Sequence, residues 1–356
     1  MRLKLLYAAC IMLLEATTAG ATSFPCERAS TNLEKMVCTD ATLSGTDDDL
    51  AVAFRQALQP LSESARTQVR HAEAAWVGWV QEVCDTRGAH APHQGQPTSK
   101  DDQERCVRVR YNDRIEQLRE LSTHGSGPTV YLVESFTHAA CPAENTPSDD
   151  AESGPSSPHS MVFASQYSTY PQIDAPATTA EKRWNAIARK TYQEKASRNL
   201  CTDAGQGEMT VTTRARAIGT HLMTVAVDSS ENSQGMPHPH DDSSNDNWLV
   251  DTGHLLTAND LFRKDPINHA AILALAKMQA NASASVHNCR ESGYQAPDPG
   301  SFVFNTENWQ LDDGALNIVF GVYEIGPYSC GSPSYTISWK SVSPYLTPQA
   351  HSWLGL

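Results

Sequence analysis

Beyond its first two dozen residues the chain has no apolar run approaching the ~20 residues that a membrane-spanning helix needs. It is also short of positive charge: 27 Lys and Arg stand against 41 Asp and Glu, a formal net charge of −14. Without a basic stripe to neutralise phosphates, nucleic acid and anionic membranes are poor partners, and a cationic partner is favoured through electrostatic steering. Catalytic signatures are missing as well. There is no G-x-S-x-G elbow, S-x-x-K pair, H-E-x-x-H helix or Walker loop. The expectation is a protein that is not an enzyme and needs no cofactor.

What is present begins with an export signal. Arg2 and Lys4 precede the apolar stretch LLYAACIMLL, and Ala19-Gly20-Ala21 forms a small-residue cleavage site, so residues 1–21 read as a cleaved signal peptide. Glu15 interrupts the apolar run, and Tyr7 sits where a lipoprotein signal has an aliphatic residue before Cys10. A periplasmic or secreted protein is therefore expected rather than a lipoprotein. Removing Cys10 leaves an even set: Cys26, Cys38, Cys84 and Cys106, then Cys141, Cys201, Cys289 and Cys330. An even count in an exported chain reads as disulfides. If each group of four pairs internally, three connectivities remain open in each half; sequential pairing is the expectation.

At 356 residues two domains are the default. Residues 22–122 carry helical signals. Thr31-Asn-Leu-Glu34 is a capping box. Asp47-Asp48-Asp49 suggests a helix start, followed by Leu50, Phe54, Leu58 and Leu61 at helical steps. Helices are expected from about Glu63 to Cys84 and from Gln103 to Leu121, with Trp76 and Trp79 in the core. Gly125-Ser-Gly-Pro128 marks a linker, residues 123–128. From 129 to 356 strand signals take over: Val130–Phe136, Met161–Tyr170, Met209–Val227, Leu316–Val322 and Ser334–Trp339. Helices are expected at Thr179–Ala196 and Asn268–Ala280. The Pro/Ser/Asp-rich stretch 142–160 is expected to be mobile. The fold class expected is a multidomain chain, an all-α disulfide-stapled helical domain followed by an α+β domain with a mostly antiparallel sheet.

Two resemblances sharpen this. Cys26, Cys38, Asp49-Leu50, Arg70, Trp76, Cys84, Cys106, Arg114 and Leu118 resemble the LprI-type lysozyme-inhibitor domain of bacterial envelope proteins, although Glu73 stands where that family has Gln. From about 129 to 348 the chain resembles the extracytoplasmic domain of the anti-sigma factor that senses lysozyme (DUF3298/RsiV-like). The matching residues are Tyr170-Pro-Gln-Ile173, Trp184-Asn185, Gly235-Met-Pro-His238-Pro239, Asp251-Thr-Gly-His254, Leu255–Phe262, Tyr323–Tyr328 and Pro344-Tyr-Leu346. Both resemblances imply lysozyme, or a lysozyme-like muramidase, as the partner.

The segment YEIGPYSCG, Tyr323–Gly331, is the candidate contact loop. Tyr323 and Tyr328 offer broad contact area at small entropic cost, and Glu324 is expected to meet an arginine of the partner. Ser329 and His238 complete the candidate set. The run HPHDD, His238 to Asp242, is the one metal-like cluster, but adjacent ligands in a loop need distant ones to close a site, so no metal is expected at His238 and His240. His238 is expected to anchor a loop by a hydrogen bond, with the polar stretch through Asn247 mobile. Recognition of peptidoglycan itself is the alternative reading.

Overall fold

The protein is described by a computed structural model covering residues 22–86, 96–97, 99–142, 161–197, 199–201, 207–232, 238–290 and 297–356. Residues 1–21, read above as a signal peptide, residues 87–95 of the polar loop, the stretch 143–160 and Gly235 to Pro237 lie outside the described residues.

Among the described residues four α-helices come first: α1 (Asn32–Thr39), α2 (Ala41–Leu58), α3 (Glu63–Val83) and α4 (Lys100–Arg119). The capping box on α1 forms, with the Glu34 N–H donating to Thr31 Oγ1 at 3.1 Å and the Thr31 N–H to Glu34 Oε2 at 2.8 Å. These backbone donors hold the Glu34 carboxyl at a pKa of about 2. The start of α2 differs from the expectation. Asp40 caps it by accepting from the N–H groups of Thr42 and Leu43, so the triple aspartate falls inside the helix. Asp47 is consequently turned to the buried side, where it accepts from the Ser23 N–H at 2.7 Å. Trp76 and Trp79 are 2% and 5% exposed and belong to the helical core.

The α+β part is a seven-stranded sheet in chain order: β1 (Ser122–Thr123), β2 (Val130–Pro142), β3 (Met161–Ile173), β4 (Glu208–Ile218), β5 (Leu222–Asn232), β6 (His240–Leu249) and β7 (His254–Leu255). All neighbours are antiparallel except β3 and β4, which pair in parallel through Ser165–Ser168 and Glu208–Val211. That pair needs a crossover, supplied by α5 (Thr179–Ala196). Beyond β7 come α6 (Ala258–Leu261), α7 (Pro266–Ala282) and α8 (Ala284–Arg290). A second sheet of β8 (Trp309–Leu311), β9 (Ala315–Val319) and β10 (Ser334–Ser338) follows, then α9 (Trp339–Val342) and α10 (Pro348–Leu354).

Two expectations are corrected here. Met209–Val227 is a hairpin rather than one strand, because Gly219, at φ +56°, turns the chain between β4 and β5. The polar stretch from His240 through Asn247 is the interior of β6, paired to β5 from Glu231↔His240 to Leu222↔Leu249. It tolerates that position because its amides serve buried backbone. Asn245 donates to the Glu307 carbonyl and Asn247 to those of Thr306 and Trp309, tying the first sheet to the second.

The helices lie on the sheet. Tyr131, Leu132, Val133 and Phe136 of β2 and Phe163 of β3 share the core of α1–α4. At its centre the fully buried Arg114 of α4 donates to Glu73 of α3 at 2.8 Å and to Glu134 Oε2 of β2 at 2.8 Å. Tyr167 of β3 adds a bond to Glu134 at 2.9 Å. Arg110 grips Glu208 of β4 through two bonds of 2.7 and 2.6 Å, and the Ser62 N–H donates to Asp174 at 2.7 Å. The glycines of the connecting segment fit this contact: a Cβ on Gly127 would sit 1.9 Å from the Gly219 carbonyl oxygen, and one on Gly125 2.9 Å from that of Ala217.

Removing one partner of such a buried pair strands the opposite charge. Arg114→Ala should destabilise the protein by about 3–5 kcal/mol, measured by urea unfolding. Burial pushes the Glu73 carboxyl above its ordinary value of 4.5. The folded state therefore binds this proton more tightly than the unfolded chain does. Its stability contribution is complete below about 4.5 and declines as pH rises through the folded value. Glu73→Gln should thus gain stability relative to wild type as pH is raised from 4.5.

Candidate partner-binding site

The segment between β9 and β10 is fixed from within before it can present anything outward. Phe320 and Ile325, 0% and 1% exposed, plug into the core under the second sheet. Half-buried Glu324 turns inward: its Oε2 accepts from the Gly321 N–H and from Asn308 Nδ2, both at 2.8 Å. The carboxylate expected to meet a partner's arginine instead organises the loop, because closing the turn leaves backbone N–H groups that need an acceptor. Asn308, itself buried, also donates to the Val319 carbonyl at 2.9 Å. The Cys289–Cys330 disulfide closes the far end, and Gly326 passes beside it so closely that a Cβ would lie 2.0 Å from Cys289 Sγ. The remaining bridges join Cys26 to Cys38, Cys84 to Cys106 and Cys141 to Cys201.

On this base stands a cluster of aromatic and ionisable groups. Tyr328 donates its hydroxyl to Asp241 Oδ2 at 2.8 Å, and that bond moves the phenol's pKa upward. The His238 ring stacks on Tyr328, with centroids 4.3 Å apart and planes 24° from parallel. His238 Nδ1 lies 2.8 Å from the Pro239 carbonyl, which only accepts, so Nδ1 carries the proton. In the neutral ring Nε2 is then an acceptor, 3.3 Å from the Tyr323 hydroxyl. Tyr323 holds a left-handed backbone, φ +68°, that is unusual for an aromatic residue, and its side chain is 48% exposed. Ser329 is exposed in the middle of the short turn Tyr328–Cys330.

The structure therefore brings Tyr323, Tyr328 and His238 together, leaves Ser329 at the rim and assigns Glu324 to the loop's interior. Asp241, which the sequence offered only as part of a metal-like run, is the residue that orients Tyr328. Its signal lay in strand alternation: odd-numbered residues of β6 face the second sheet, as Asn245 and Asn247 do. Other motif residues prove to be structural. Asn185 exchanges hydrogen bonds with the Ile173 N–H and carbonyl at 2.8 and 2.9 Å, locking α5 to β3.

Residues 26–118 match the family model described as lysozyme inhibitor LprI, and residues 259–340 match that of DUF3298, a protein family of unknown function. The chain thus carries an LprI-type segment followed by a DUF3298-type segment. A DUF3298 family member from Bacteroides fragilis shares 13% identity over 65% of this chain and 98% of its own, with a TM-score of 0.41. A DUF3298 family protein from Pseudomonas aeruginosa shares 13% identity over 63% of this chain and 97% of its own, with a TM-score of 0.37. No curated protein matches the chain.

Gly326→Ala should be incompatible with the neighbouring bridge, so thiol titration under denaturing conditions should find free sulfhydryls at Cys289 and Cys330. Cys330→Ser with Cys289→Ser should cost about 4 kcal/mol, measured by chemical unfolding.

Proposed function

We propose that this chain is an exported lysozyme-binding protein that inhibits lysozyme-type muramidases by occluding the active-site cleft. In this reading residues 1–21 are a cleaved leader, 22–122 an LprI-like helical unit, 123–128 a linker and 129–356 an RsiV-like α+β unit. The observation that carries the proposal is the LprI match over the helical segment. Four disulfides suit an oxidising, extracytoplasmic compartment.

The chemistry fits that partner. A lysozyme works through two carboxylates flanking a saccharide groove, so blocking it requires a rigid insertion and no bond-making by the inhibitor. A loop fixed internally by Glu324, Asn308 and the Cys289–Cys330 bridge loses little freedom on docking, which lowers the cost of association. Tyr323, Tyr328 and His238 supply the contact area, and Ser329 a rim hydroxyl. The net charge of −14 favours encounter with a cationic enzyme and predicts an association rate that falls with ionic strength.

Purified mature protein should slow muramidase lysis of cell walls at near-stoichiometric ratios. No effect across several lysozyme classes would remove the proposal. Retention on purified sacculi without enzyme would favour peptidoglycan recognition instead. Tyr323→Ala and Tyr328→Ala should each weaken lysozyme binding by about 1–2 kcal/mol in calorimetry, whereas Tyr328→Phe, which loses only the bond to Asp241, should cost less.

A further inference from the structure

Strand β6 has a second face at its His240 end. Its even-numbered residues point away from the tyrosine loop and line a cavity of about 470 Å³ over the sheet. The floor is apolar: Met209 and Val211 of β4 and Val227 of β5, all nearly buried. The rim is polar, with Ser229, His240 and Asp242 among its residues. Asp242 is exposed, and its carboxylate has no hydrogen bond or ion pair among the described residues. The other charges around the cavity are accounted for. Lys195 is held by Asp246 at 2.7 Å and contributes no free positive charge, and Glu231, also on the rim, has a partner of its own.

An apolar floor beneath an unpaired carboxylate is complementary to a long side chain with an aliphatic stem and a cationic head. Serine hydroxyls beside the carboxylate add acceptors for a group with several N–H donors, which a guanidinium has. We propose that this cavity receives an arginine side chain of the partner protein, its stem on Met209, Val211 and Val227 and its guanidinium on Asp242. The site deepens the lysozyme-binding reading and rests on it for the identity of the partner. Asp241 and Asp242 are adjacent on one strand and face opposite ways, so a partner that clasps the His240 end of β6 meets the tyrosine loop on one side and the cavity on the other.

The test uses the oxidised full mature chain and N-acetyl-arginine amide as probe, followed by two-dimensional amide NMR. Saturable shifts at Met209–Val211, Val227–Ser229 and His240–Ser244 are expected. The citrulline amide, equal in shape but uncharged, should produce none. Asp242→Asn should weaken the probe by about tenfold, the scale of one charge-assisted hydrogen bond. Asp101→Asn, which removes the same charge from an exposed helix start, should leave it unchanged. Equal shifts from the citrulline amide, or undiminished binding to Asp242→Asn, would overturn the site. Probe binding at these residues without association with any lysozyme would support the cavity and remove the inhibitor reading. Lysozyme association undiminished in Asp242→Asn, with a silent probe, would overturn the cavity and leave the inhibitor reading standing.

Discussion

The architecture turns on one buried cation. Arg114 is fully enclosed, with Glu73 on the helical side and Glu134 on the sheet side, and the Trp76 and Phe136 rings lie 5.8 and 5.5 Å from its guanidinium. A buried guanidinium is costly to desolvate, and its attraction to two carboxylates offsets that cost only while both are held in place. The contact is therefore intolerant of partial separation. It binds helices that carry local signals for their own fold to a sheet whose long strands come only after the connecting segment.

The constraint passes along the sheet. With α4 held on β2 by Arg114 and on β4 by Arg110, the strands that follow keep fixed register through β5 to β6. The asparagines of β6 then anchor the second sheet through backbone carbonyls, and the loop between β9 and β10 is built on that sheet. Each layer is positioned by polar contacts inside an apolar surround, which gives directional bonds where hydrophobic packing alone would permit slippage. The tyrosine loop thus stands at the end of a chain of buried polar contacts, along which Arg110 Nε and Asn247 Oδ1 have no partner among the described residues.

Much of the fold was legible along the chain because it rests on local chemistry. The capping box at Thr31 and the helical steps through Trp76 and Trp79 announce their helices in sequence. The failures share a cause. Asp47–Asp49 resembled a helix start because carboxylates favour that position, but Asp40 offered a better cap seven residues earlier. The run from His240 to Asn247 looked like a mobile loop because β6 carries amides and carboxylates where strands usually carry apolar groups. Only its neighbours, the β5 ladder and the carbonyls near β8, make that composition suitable for a strand.

The candidate site divides along the same line. Gly326, Pro327 and Cys330 in one short stretch determined that the loop would be tight and cross-braced, since φ limits and disulfide reach act over a few residues. Composition determined an acidic chain and, through the eight cysteines that follow residue 21, pointed to an oxidised protein. Tertiary structure decided which cysteines meet, that Glu324 faces inward to Asn308, and that Asp241 and His238 frame Tyr328 across more than eighty residues. Those outcomes depend on distances between segments far apart in the chain, set by sheet register and core packing, and no local preference encodes them.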